Sequence, residues 1–206
     1  MAEYRQTEEG FRRLIAFSDA VVAIALTLLV LPLAEIPGEI RDSTSIGAVL
    51  RDHQPALVSF AVSFVVIWVL WRNHHRMMEN FRAYDRTLFE LHFLWLLTIV
   101  VLPFATALMD NIHIERANAV YIGVLAVSVL SLVAMTEWGA RHPALLDDNA
   151  DTGVWIAQRT GLASCVLLAV ALAIAIAFPK VGVWPLVLLF FSGPLEQLLR
   201  RLRRAR

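Results

Sequence analysis

Long apolar runs separated by short polar stretches set the pattern of this chain. Six runs approach the roughly 20 mostly apolar residues that a helix needs to cross a hydrocarbon core of about 30 Å. They cover residues 14–33, 56–72, 91–109, 117–137, 160–178 and 181–199. None alternates apolar and polar residues with period two, so the pattern predicts helices and not a barrel of strands. The second run is short and is expected to extend into its polar flanks. Only Pro179 and Lys180 separate the last two, which predicts a tight helical hairpin. The expected fold is an all-α integral membrane protein, with six transmembrane helices forming one domain over residues 1–206. No internal repeat appears, and the 35–55 and 142–155 connections are too short to form a separate soluble module.

Composition strengthens this reading. The chain is 58% hydrophobic and 17% charged, with a mean hydropathy of +0.63. Soluble domains are about half apolar and roughly a quarter charged. The first run exceeds the roughly 7–15 residues of a signal-peptide core, and a cleavage after Ala34 would need a small residue where Pro32 stands. It is expected to be a retained helix. Cys165 is the single cysteine, which excludes an internal disulfide.

The net charge of zero conceals a sided distribution. Fourteen of the 18 Lys and Arg residues fall in alternate connections and at the termini, leaving Arg41, Arg51, Arg116 and Lys180 on the other side. By the positive-inside tendency, both termini are expected in the cytoplasm, with the protein in the cell (plasma) membrane. The RRLRRAR tail then faces anionic lipid head groups, and no nucleic-acid partner is expected.

The first run carries the chemistry. At 100° per residue with Ile24 at zero, Thr27 falls at about 300°, Leu28 at about 40° and Leu31 at about 340°. Asp19 falls near 220°, on the other side. An acid inside a membrane segment is costly and normally meets a partner. Arg72, His74 and His75 lie at compatible depth for Asp19. Arg13 falls at about 340°, on the same side as Ile24. Either the helix is irregular before Phe17, or Arg13 bends away toward Glu79, Asp85 or Glu90.

Arg13-x-x-x-Phe17-Ser18-Asp19, followed by Ala20 and then AIALTLLVL, resembles the signature of the transmembrane protein 175 family. The resemblance extends more weakly to Trp71-x-x-His74-His75 and to the six-run length. It implies a modestly selective potassium channel and, as in the shorter prokaryotic members, a homotetramer whose first helices line a central pore. Like the family, the chain has no TVGYG-type filter. The resemblance maps the narrowest, hydrophobic constriction to Ile24, a hydroxyl ring to Thr27 and further apolar rings to Leu28 and Leu31. It maps a polar network packing the pore helix to Arg13, Phe17, Ser18, Asp19, Trp71 and His74 or His75. Val22 stands where many relatives carry an aromatic residue. The implied partners are further copies of the chain, membrane lipid and potassium ions. No cofactor, resident metal or enzymatic activity is expected.

Two rival readings use the same residues. In a proton-coupled transporter, Asp19, His74, His75 and His92 would be relay groups. Transporters of that kind often show paired halves, and none is visible here. A haem or metal enzyme fits less well, because His74 and His75 are adjacent and point to different helix faces. The tryptophans lie largely near run ends, as an aromatic belt would.

Overall fold

The computed structural model describes residues 8–39, 45–110, 117–148, 152 and 162–178. Its elements are α1 (Glu8–Leu28), α2 (Leu31–Ala34), α3 (Ile46–Asp52), α4 (Gln54–Met78), α5 (Arg86–Asp110), α6 (Ala117–Arg141) and α7 (Leu162–Ala177). Short 3-10 turns cover Ile36–Glu39 and Pro143–Leu145. Four segments are long and apolar enough to cross a membrane: Glu8–Ala34, Gln54–Met78, Arg86–Met109 and Ala117–Arg141. Twenty-five helical residues span about 37 Å, enough for the hydrocarbon core with polar ends beyond it. The fifth run is α7. The sixth, residues 181–199, lies outside the described residues.

Local chemistry explains the boundaries. Pro32 cannot continue the α1 hydrogen-bond ladder and instead occupies the first turn of α2. Ser45 caps α3 by accepting from the Ala48 amide. Pro55 sits in the first turn of α4. Asp85 caps α5, its Oδ1 accepting from the Leu88 amide at 2.8 Å. The second run, predicted to end at residue 72, continues as helix to Met78. Hydropathy stops at Arg72, but the backbone ladder does not, and the added turns carry His74 and His75.

α5 is apolar around its whole circumference, and such a helix is stable only when surrounded. It packs against α1, α4 and α6, while α6 also meets α7. Trp95, Ile99 and Leu102 of α5 form the core with Ile67 of α4 and Tyr121, Ile122 and Met135 of α6. At the end where α1 begins and α4 finishes, two loops join. The Arg82 amide donates to the Leu145 carbonyl at 2.9 Å, and the Asp147 amide to the Asn80 carbonyl at 2.9 Å. Phe81 lies across Gly139 so closely that a Cβ there would stand 2.5 Å from its Cζ. Only glycine permits that approach.

Candidate functional site

α1 has two faces of different character. Phe11, Ser18, Val22 and Ala25 are buried against the rest of the protomer, and Leu29 follows them. Phe17 is 61% exposed, Ile24 58% and Leu31 56%, with Leu28 less so. Arg13, Ala20 and Thr27 are exposed alongside them. The positions 13, 17, 20, 24, 27 and 31 alternate steps of four and three. That period of 3.5 is how a helix presents one seam to neighbouring helices. Ile24, Thr27 and Leu28 thus lie exposed on α1, and Leu31 lies exposed at the start of α2. The Thr27 hydroxyl donates to the Ile24 carbonyl at 2.7 Å. Its hydrogen is thus committed, and the oxygen offers only acceptor lone pairs to its surroundings.

Behind that stripe lies a hydrogen-bond chain through three helices. The Ser18 hydroxyl lies 2.8 Å from the Leu14 carbonyl and also meets His92 Nε2 of α5. His92 Nδ1 in turn meets His74 Nε2 of α4 at 3.2 Å, so each imidazole's tautomer is set by its neighbour. Both rings are buried. His74 stacks on Trp95, with centroids 3.9 Å apart and planes 6° from parallel. His74 Nδ1 and Trp95 Nε1 have no hydrogen-bond partner among the described residues.

Asp19 points elsewhere. Its Oδ1 accepts from Trp71 Nε1 at 2.8 Å. Trp71 in turn stacks on His75, four residues along the same helix face, at 5.3 Å. The expected direct partners of Asp19 were Arg72, His74 or His75, and the indole takes that place instead. His74 is rotated toward α5, where His92 awaits it. His75 lies 3.7 Å from Glu79.

Two further placements differ from expectation. Phe17 stands on the exposed stripe, 100° around the helix from Ser18, and is not enclosed with the buried polar groups. Arg13 neither bends away nor sits in an irregular segment, since α1 is helical from Glu8 onward. Its three candidate partners are engaged elsewhere. Glu79 faces His75, Asp85 holds the Leu88 amide and Trp138 Nε1, and Glu90 binds Arg86 at 2.7 Å. His92 is the residue that the network reading of the sequence missed. It appeared only as a relay group in the transporter reading, because nothing in an apolar run reveals which neighbour a histidine meets.

A cavity of about 550 Å³ opens beside the start of α1. Asp19, His75 and Glu79 contribute to its walls, with Phe11, Ile15 and Met78 as apolar lining. Among the described residues no three His, Cys, Asp or Glu side chains gather closely enough to hold a metal ion.

These features define an all-helical, multi-pass membrane protein whose first helix hides polar groups and bares an aliphatic seam. Residues 13–103 match the family described as endosomal/lysosomal potassium channel TMEM175. The chain is 33% identical over 150 residues to a potassium channel of Chamaesiphon minutus, covering 71% of this chain and 73% of that one. It is 34% identical over 148 residues to a potassium channel of Streptomyces collinus, covering 68% and 69%. An endosomal/lysosomal proton channel TMEM175 of Danio rerio is 27% identical over 151 residues, 71% of this chain but 28% of that longer one. The crystal structure of a lysosomal potassium-selective channel TMEM175 homolog from Chamaesiphon minutus superposes with a TM-score of 0.66. It is 28% identical and covers 92% of this chain and 97% of that one. The chain belongs to the TMEM175 family, a family of ion channels and not of enzymes.

Proposed function

We propose that this chain is the subunit of a modestly potassium-selective channel. Four copies with six membrane helices each bring their α1 seams to a shared axis, in the plasma membrane with both termini cytoplasmic. The observation that carries the reading is the exposed 3.5-period seam of α1, on which Phe17 and Ile24 are more than half exposed, with Leu31 exposed likewise where α2 begins. The relatives named potassium channels support it.

Four Ile24 side chains around an axis form a ring that offers an ion no oxygen ligands. Narrow apolar rings dewet and so close to ions. Conduction requires α1 to tilt or turn until the ring admits water. Thr27, one turn on, then presents four acceptor oxygens whose hydrogens are already spent on the Ile24 carbonyls. They replace part of a hydration shell. Sodium binds its water more tightly than potassium, so the exchange favours potassium, and one sparse ring gives only modest preference. Arg13 sits at the watery mouth. Each of the four charges there repels a cation about 8 Å away by about 0.5 kcal/mol in water, together about 2 kcal/mol, which salt screening cuts further. The barrier therefore lies at Ile24.

The reading is tested in planar bilayers with potassium and sodium on opposite sides. The wild type gives a reversal potential displaced toward the potassium equilibrium value. Ile24→Asn keeps the constriction wet and raises sodium leak. Ion fluxes in that variant equal to wild type for both ions would remove Ile24 from the constriction. The buried His74–His92 pair favours one second reading, a proton-coupled transporter. Potassium flux strictly tied to a proton gradient would support it over the channel.

A further inference from the structure

We propose that the 550 Å³ cavity beside the start of α1 is a binding site for aliphatic polyamines, and that a bound polyamine clamps α1 to α4 and lowers conduction. The binding stands apart from how ions cross the protein. The effect on current rests on the reading of α1 as the pore-lining helix.

The cavity is a groove with acids at its inner end and its mouth, and hydrocarbon between them. α1 lines it with positions 8, 11, 12, 15, 16 and 19, which share one face of the helix at steps of three and four. From Glu8 to Asp19 that face runs about 16 Å. Phe11 and Ile15 stand between those two acids, and Met78 of α4 and Phe81 of the following loop add further apolar wall. Glu79 and Asp147 complete the mouth from α4 and from the second loop. Both are exposed, whereas Asp19 is half-buried.

The charges of the walls do not cancel. Four carboxylates meet two guanidinium groups, which with a neutral His75 leaves a net charge of −2. Glu8 and Arg12 neutralise each other at 2.7 Å, and Arg82 Nε donates to the Ala144 carbonyl at 3.3 Å. The acids left to a ligand are Asp19 within and Glu79 and Asp147 at the mouth. Asp19 gives one oxygen to Trp71 Nε1 at 2.8 Å, and its other oxygen has no hydrogen-bond partner among the described residues. A bare metal ion fits poorly, since no three His, Cys, Asp or Glu side chains gather closely enough to hold one among the described residues. A peptide would bring amides that the apolar stretch cannot satisfy. A methylene chain with an ammonium at each end suits every part. One ammonium, with its three donors, meets Asp19, the methylenes lie against Ile15 and Met78, and the other ammonium meets Glu79 and Asp147. Such a ligand touches α1, α4 and a loop at once. Turning α1 would carry Asp19 away from the other two acids, so the bound state resists the motion that conduction requires.

The test titrates spermidine into the full chain held in nanodiscs of zwitterionic lipid. The comparisons are n-octylamine, which has a chain but one ammonium, and magnesium, which has the charge but no chain. Calorimetry gives saturable spermidine binding, severalfold tighter than either comparison. Asp19→Asn keeps an acceptor for Trp71 but loses the charge, and weakens spermidine about tenfold. Glu79→Gln combined with Asp147→Asn changes only exposed groups at the mouth, and brings spermidine down to the affinity of n-octylamine. Magnesium binding as tightly as spermidine, or a spermidine affinity unmoved by the mouth substitutions, overturns the site. In bilayers, spermidine on the cavity side lowers potassium current severalfold at either sign of voltage, and from the other side it leaves current unchanged. A voltage-dependent block that survives the mouth substitutions places spermidine in the ion path and overturns the clamp. Binding that passes the calorimetric tests while current is unchanged supports the site and counts against an α1 that must turn for ions to pass.

Discussion

The protomer buries two polar clusters between the same central helices, and they differ in what they touch. One is Ser18, His92 and His74, joining α1, α5 and α4. The other is Ser63, Thr106 and Tyr121, joining α4, α5 and α6. There Thr106 Oγ1 lies 2.8 Å from Ser63 and 2.9 Å from the Leu102 carbonyl, and Ser63 donates to the Tyr121 hydroxyl at 3.4 Å. The second cluster consists of hydroxyls and does not reach α1. Thr106 also lies beside Pro103, whose ring removes one rung of the α5 ladder. This cluster binds the scaffold helices to one another. The first cluster contains imidazoles and ties α5 to α1. One cluster therefore stabilises a frame, and the other governs how the first helix is attached to it.

Breaking the two clusters separates these roles. The largest effect is expected from His92→Ala, which leaves His74 and Ser18 without their shared partner and opens space at the edge of the His74 ring. Such a change costs about 3 kcal/mol. Detergent unfolding would show it as a large loss of stability, accompanied by greater exposure of α1 to proteolysis near Ser18. Unchanged stability would mean that apolar packing alone secures α1. A smaller effect is expected from Tyr121→Phe, which removes one long hydroxyl contact and leaves the ring in place. Interhelical hydrogen bonds in membranes are worth about 0.6 kcal/mol on average. Stability should fall by about that amount, with α1 protection unchanged. Loss of α1 protection in this variant would join the two clusters into one.

Much of this arrangement was legible in the sequence. The apolar runs placed α1, α4, α5, α6 and α7, because a span of fixed thickness demands a run of fixed length. The 100° step placed Ile24, Thr27, Leu28 and Leu31 on one face, and the structure leaves all four exposed, the first three on α1 and Leu31 at the start of α2. The step also put Arg13 on that face, and the structure leaves it exposed there. What the step could not supply was the rotation of one helix against another. Asp19 was legible as an acid needing a partner, yet whether α4 offered Trp71, Arg72, His74 or His75 depended on that rotation. Phe17 entered the expected network by its place beside Ser18 in the motif, although neighbours in sequence lie 100° apart on a helix. His92 was illegible for a similar reason. It stands 18 residues from His74, on another helix, in a run whose other members are apolar. Helix ends were set too early at residue 72 because hydropathy reports the hydrocarbon boundary and not the end of the backbone ladder.

The most direct measurement places a thiol at the centre of the exposed stripe. In a chain carrying Ile24→Cys and Cys165→Ala, a water-soluble thiol reagent is added during potassium current recording. Progressive loss of current, slowed when the path is closed, is the result expected for a side chain that faces a shared water column. A cysteine that stays unmodified while current flows undiminished would put position 24 against lipid or protein, and α1 would then not line the ion path.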